Sequence, residues 1–186
     1  MQKALLILCL LVTFGSHAEE PAKTDDSARI RIFQRNGVGL GVFPRQSCYQ
    51  FNLFGKDGNI VESQSFSSFL HMASNKSISM PETANLRAMP QVSKLFSSVY
   101  FEEYRLPARQ VATITSSFND ATYWHCKTLA VRFTPQAGRD YEAMLDVDMD
   151  NKTCKLIVGT IPQNAPDAAL EPPSDLSRAA SCSEQK

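Results

Sequence analysis

Three observations predict an all-β fold for this chain, an antiparallel β-sandwich. Apolar residues recur with period two over several short runs between residues 29 and 161. Pro, Gly and Asn turn signals separate those runs. No long helical pattern alternates with them, which argues against a parallel α/β arrangement. A small closed β-barrel is the alternative, because both architectures share the same alternation.

The chain has 186 residues, a length that suits one domain. It opens with Met1-Gln2-Lys3, an apolar run over 4–14, and the small residues Ser16 and Ala18. These are the three parts of a secretory signal peptide over 1–18, with cleavage expected after Ala18. The apolar run is too short to cross a bilayer, which takes about 20 residues, and no later stretch reaches that length. Residues 19–27 are charged, small or Pro and read as a flexible leader. Residues 28–162 form the expected β-sandwich domain. Residues 163–186 are rich in Pro, Ala and Ser and read as a flexible tail, with too little apolar surface to offset its ordering entropy.

Within the domain, Arg29-Ile30-Arg31-Ile32-Phe33 alternates polar with apolar residues. Gly37, Gly39 and Gly41 then alternate with Val38, Leu40 and Val42 until Phe43 and Pro44. The bare glycine positions suit a bent strand or the close approach of another backbone. They lack the spacing and the following Lys of a phosphate-binding loop. Residues 46–98 are weakly patterned. Short strands are expected at about 58–66 and a helical turn at about 85–89, in a region suited to an irregular functional surface.

Residues 99–106 and 110–115 have the signature of a hairpin around Pro107. The run 129–134 alternates and stops at Pro135. The next strand sets Tyr141, Ala143, Leu145, Val147 and Met149 on one face. Asp140, Glu142, Asp146 and Asp148 fall on the other, expected to be wet, with Met144 among them. The nearly unbroken apolar run 154–161 reads as a central or well-covered strand.

The chain balances 19 basic against 19 acidic residues. That balance speaks against nucleic acid, whose partners carry a clear basic excess. Loss of Cys9 with the signal leaves Cys48, Cys126, Cys154 and Cys182. An even cysteine count in an exported chain predicts disulfides, with three possible connectivities. Cys126 is expected to join Cys154, because the strands starting near Leu129 and at Cys154 would both flank the Tyr141 strand and run the same way. Cys48 with Cys182 follows by elimination. None of the four sits in a Cys-x-x-Cys pair, so no metal site is assigned.

Other constellations carry weak chemistry. Asp146, Asp148 and Asp150 resemble the start of a calcium loop, but Asn151 stands where Gly is needed and Ile157 where Glu is. His71 and His125 invite a nucleophilic triad without a Gly-x-Ser-x-Gly elbow to support one. Cys126 beside His125 reads as a half-cystine rather than a nucleophile. Tyr49, Phe51, Tyr123 and Trp124 form a candidate binding surface, because aromatics with polar handles stack on sugars and peptides. Asn75-Lys76-Ser77 and Asn151-Lys152-Thr153 are glycosylation acceptors in form. No catalytic residue and no cofactor is assigned.

Several pieces together carry a resemblance: Arg29-Ile30-Arg31-Ile32-Phe33, Phe43-Pro44-Arg45-Gln46-Ser47-Cys48-Tyr49, Ser79-Met80-Pro81-Glu82-Thr83, Glu103-Tyr104-Arg105-Leu106-Pro107-Ala108, residues 133–142, and Cys154. The chain resembles small exported proteins of Gram-negative bacteria known mainly as hypothetical proteins or domains of unknown function. The resemblance implies an immunoglobulin-like or related β-sandwich in the envelope and no activity. The expectation is therefore a soluble periplasmic or secreted protein, not an enzyme. It would bind a protein or another envelope component. The rivals are a periplasmic hydrolase with a site near His71 or His125, and a β-barrel carrier of a small apolar ligand.

Overall fold

The computed structural model describes residues 26–35, 37–51, 58–61, 72–89, 99–120 and 124–185. Its elements are β1 (Ser27–Gln34), β2 (Val38–Pro44), α1 (Ala84–Arg87), β3 (Tyr100–Pro107), β4 (Ala112–Asp120), β5 (Trp124–Phe133), β6 (Asp140–Asp148), β7 (Thr153–Thr160) and β8 (Ser177–Arg178). They form two four-stranded sheets, ordered β3-β1-β6-β7 and β2-β4-β5-β8. The fold is a β-sandwich. The barrel alternative fails because neither sheet closes on itself. The strand pairs are antiparallel except β1 with β6, which run parallel.

Alternation in the sequence becomes inward and outward faces. Ala28, Ile30 and Ile32 of β1 point into the sandwich. They meet Val38, Leu40 and Val42 of β2, Tyr104 and Leu106 of β3, and Ile114 of β4 in one core cluster. Phe133 and Tyr141 pack across the same interior with ring centroids 4.9 Å apart. Removing this much apolar surface from water is the main stabilising contribution.

Several connections differ from expectation. β3 and β4 do not form a hairpin: they belong to opposite sheets, and their inward residues join one core cluster. The turn between them bends at Arg109, whose φ is 60°. Period-two patterning is the same for strands side by side and strands face to face, so it does not separate the two arrangements. The β1–β2 connection also changes sheets, through a tight turn in which Val38 N–H donates to the Arg35 carbonyl at 3.0 Å. Gly37 in that turn has φ 80°, and a Cβ there would lie 2.9 Å from the Asn119 carbonyl oxygen.

β7 is the last strand of its sheet rather than a central one. Part of its open edge is covered by the tail. Thr160 and Glu171 exchange backbone hydrogen bonds of 2.7 and 3.2 Å. Leu170 packs so closely that a Cβ on Gly159 would lie 2.5 Å from its Cβ. The segment expected to be a flexible tail is thus laid along the body. It adds β8 to β5, pairs Ser181 with Tyr49 and ends in a 3-10 turn at Cys182–Gln185. Its missing apolar surface is replaced by backbone pairing and a disulfide.

Cys48 bonds to Cys182, with Cα atoms 5.0 Å apart, and Cys126 bonds to Cys154, at 6.3 Å. Both expected pairs form, but the reason given for the second is overturned. β5 does not flank β6 within one sheet. Cys126 and Cys154 lie on opposite sheets, so the bond staples the sandwich from sheet to sheet.

The weakly patterned region supplies covers. Residues 59–61 lie along β2, where Ile60 N–H donates to the Val42 carbonyl at 3.0 Å and Asn59 Oδ1 accepts from Val42 N–H at 2.9 Å. No strand is formed over 58–61, and the rest of the strand expected to reach Phe66 lies outside the described residues. The expected helical turn is α1, capped by the Thr83 side chain. Lys76 pairs with the outer edge of β3, and the chain then crosses the outer face of that sheet toward α1.

Candidate functional site

The outer face of the β3-β1-β6 sheet carries two rows of charge that strand register creates. Arg29 stands opposite Arg105 on β3 and beside Asp140 on β6. Two residues along, Arg31 stands opposite Glu103 and beside Glu142. The same alternation that buries Ile30 and Ile32 inward aims all of these outward.

The second row is not wet. Arg31, Glu103 and Glu142 are each at most 1% exposed, because residues 77–85 cover them. Glu142 is therefore a correction to the wet face expected for its strand. Arg31 donates to Glu103 at 2.6 and 2.9 Å, to Glu142 at 2.8 Å and to the Pro81 carbonyl at 2.9 Å. The two carboxylates also grip the covering segment. Glu103 Oε2 accepts from Ile78 N–H at 2.6 Å, Ser77 Oγ at 2.9 Å and Met80 N–H at 3.2 Å. Glu142 accepts from Thr83 Oγ1 at 2.6 Å and Asn85 Nδ2 at 2.9 Å.

One guanidinium faces two carboxylates, so the row carries a net charge of −1. The donors from 77–85 stabilise that excess, which buried charge requires. Burial pushes the Glu103 carboxyl upward. The Ile78 amide, Arg31, the Met80 amide and Ser77 together outweigh it and hold the group below its ordinary value. Thr83 links this cluster to local structure: its hydroxyl bonds Glu142 while its oxygen accepts from Leu86 N–H at 3.1 Å to cap α1. On the inner face, Glu102 accepts from Gln34 Nε2 and Tyr104 Oη, each at 2.9 Å.

The first row borders a solvent-open recess of about 190 Å³, lined by Ser27, Arg29, Arg105, Gly138, Arg139 and Asp140. Arg29 meets Asp140 through Nε and Nη2, both at 2.7 Å, in a bidentate pair. A second recess of about 180 Å³ lies between the start of β6 and Pro172–Pro173, and Arg139 borders both.

The residues singled out from sequence are dispersed. Tyr49 and Phe51 lie together, ring centroids 5.6 Å apart, and Phe51 also contacts Phe43 edge-on at 5.9 Å. Phe51 is 59% exposed, so this pair is a surface feature. Trp124 meets Phe118 at a tilt, ring centroids 5.5 Å apart, and packs against the core. Phe43 pairs with Thr113 and Trp124 with Asp120 along β4, so the two aromatic groups lie toward opposite ends of that strand. Tyr123 and His71 lie outside the described residues. His125 is exposed on β5, opposite Asn119.

Asp148 is committed to a turn. It accepts from the amides of Asp150 and Asn151 and from Asn151 Nδ2, at 2.7 to 3.0 Å. The Asn151 side chain and amide chiefly hold its carboxyl below the ordinary range. Among the described residues, no group of three His, Cys, Asp or Glu side chains is placed to hold a metal ion. No described helix is long and apolar enough to cross a membrane.

Sequence reasoning missed Arg31, Glu103 and Glu142. Their only sequence signal is a charged residue at alternate positions of three separate strands, and that signal acquires meaning only once register is known. Comparison with protein-family models, with curated proteins and with solved structures finds no match to this chain.

Proposed function

We propose that this chain is an exported envelope or secreted accessory protein that acts by binding a protein or another envelope component. The observation that carries the reading is the use of Cys48, Cys126, Cys154 and Cys182 in two cross-links. Such bonds persist where the surroundings are oxidising. The signal pattern over 1–18 and the resemblance to small exported proteins of Gram-negative bacteria point the same way. A binding role is favoured by the way residues 77–85 are pinned to the sheet, since an irregular segment held rigidly suits recognition. The exposed Phe51, packed on the half-buried Tyr49 beside the Cys48–Cys182 bond, adds an apolar contact point of the kind found at interfaces.

The test is expression of the full chain with a C-terminal tag in a Gram-negative host, followed by fractionation and N-terminal mapping. The expected product starts at Glu19, lies outside the cytoplasm and has no free thiol. A full-length cytoplasmic product with four free thiols besides Cys9 would overturn the proposal. The mature chain is then used to capture partners from the envelope fraction, alongside a broad hydrolase screen. Turnover abolished by His125→Ala, with no partner recovered, would replace the binding reading with a hydrolase.

A further inference from the structure

We propose that the Cys48–Cys182 bond is a redox latch, whose reduction by a dithiol frees the C-terminal strap 177–185 from the body while the sandwich stays folded. It goes beyond the exported binding role and does not depend on it.

The two disulfides occupy different settings. All four cysteines are half-buried, but only Cys126 and Cys154 pack against the core cluster, where their bond joins β5 to β7. Cys48 lies in the loop after β2 and Cys182 in the terminal 3-10 turn, both outside that cluster. Thiol–disulfide exchange depends on access for the attacking sulfur, so the bond between loop and tail is the one a dithiol opens first. One thiolate of the dithiol attacks Cys48 Sγ or Cys182 Sγ, which breaks the bond and forms a mixed disulfide. The second thiol then attacks that mixed disulfide, closes the reagent's own disulfide and releases the cysteine. Two electrons and two protons pass from the dithiol to the chain, which is left with two thiols.

Past Leu176 the strap has no footing in the core. Leu176 is the last tail residue that packs against the cluster, and Asp175 accepts from Thr134 N–H at 2.9 Å, so the tail stays docked up to that point. Beyond it, Ser177 and Arg178 are exposed and pair with Arg132 and Val131 of β5. Ala179 N–H donates to the Ala130 carbonyl at 3.0 Å, Tyr49 N–H to the Ala180 carbonyl at 3.3 Å and Cys182 N–H to the Tyr49 carbonyl at 2.9 Å. None of residues 177–184 is fully buried. A segment that buries so little does not offset the entropy of ordering it, and the covalent tie keeps it in place. On the body's side, Thr113 Oγ1 donates to the Gln46 carbonyl at 2.8 Å, which holds the start of the Cys48 loop on β4 once the bond is open. Release therefore uncovers the β5 backbone at 130–132 and the backbone of Tyr49, and leaves the core untouched.

The experiment is graded reduction of the folded, disulfide-intact chain with dithiothreitol, with free thiols trapped by alkylation and located by peptide mapping. Cys48 and Cys182 should be trapped at least about tenfold faster than Cys126 and Cys154. Hydrogen exchange on the singly reduced protein should then quicken by at least about tenfold at the amides of Tyr49, Ala179 and Cys182, and stay slow at Ile30, Ile32 and Thr160. The double variant Cys48→Ser/Cys182→Ser should show the same fast amides without reductant. If that variant does not fold, the singly reduced parent reads the same positions. Reduction of both bonds at one rate, or of Cys126–Cys154 first, would overturn the latch. So would unchanged exchange at Ala179 and Cys182 once the Cys48–Cys182 bond is open, or loss of protection at Ile30 and Ile32 together with the strap, which would show unfolding of the whole sandwich.

Discussion

Arg31 and Glu142 stand 111 positions apart in sequence and form a 2.8 Å ion pair with both side chains shut off from solvent. The pair joins the parallel strands β1 and β6, and Glu103 completes it from β3. Its oxygens also hold the segment that seals it, so the sheet and its cover depend on each other.

Removal of the central cation is the most damaging single change expected. Arg31→Met leaves two carboxylates buried without their partner, which should cost about 3–5 kcal/mol. Chemical denaturation of the oxidised protein reads this directly. A loss below about 1 kcal/mol, the scale of an exposed pair, would show that the row is not buried in solution.

Acid should loosen the cover over 77–85. Glu103 is held below its ordinary value in the folded state, so the folded protein releases that proton more readily than the unfolded chain. Its contribution is present above the unfolded value of about 4.3 and is lost as pH falls through the folded value. Glu103→Gln should be less stable at pH 7, with a shallower decline of stability below about pH 4.3 than the parent. Parallel curves for the two proteins would refute the assignment.

The two disulfides should contribute unequally. They span 134 residues for Cys48–Cys182 and 28 for Cys126–Cys154. Chain entropy then assigns them about 5 and about 3.6 kcal/mol respectively. Paired Cys→Ala variants, melted separately, test the order. Equal losses would show that the native contacts, rather than loop length, set the contributions.

Gly159 tests the docking of the tail. A side chain at this position meets Leu170, so Gly159→Val should displace residues 170–171 while leaving the core intact. Hydrogen exchange should quicken at Thr160, whose amide bonds the Glu171 carbonyl at 2.7 Å, and stay slow at Ile30 and Ile32. Unchanged exchange at Thr160 would place the tail elsewhere.

Much of the sandwich was legible because burial of one strand face writes itself into alternate residues, as in Ile30–Ile32 and Tyr141–Ala143. The sheet assignment of those strands was not legible. Val99–Leu106 and Gln110–Thr115 read as a hairpin, yet β3 and β4 belong to opposite sheets, because both arrangements bury the same faces. The apolar run 154–161 reads as a central or well-covered strand; β7 is the last strand of its sheet, and the tail covers part of its edge. The four aromatics nominated as a binding surface shared a residue type but no register, and the structure separates Tyr49 and Phe51 from Trp124.

The sequence by itself determined the β class, the strand locations and the cysteines available for pairing, since each follows from local alternation, turn chemistry or count. Tertiary structure alone decided that Arg31, Glu103 and Glu142 form one buried cluster, and that Arg29, Arg105 and Arg139 border one recess. The reason is register. Charges on β1, β3 and β6 meet only when strands far apart in the chain are aligned, and a slip of one residue would turn every one of them to the opposite face.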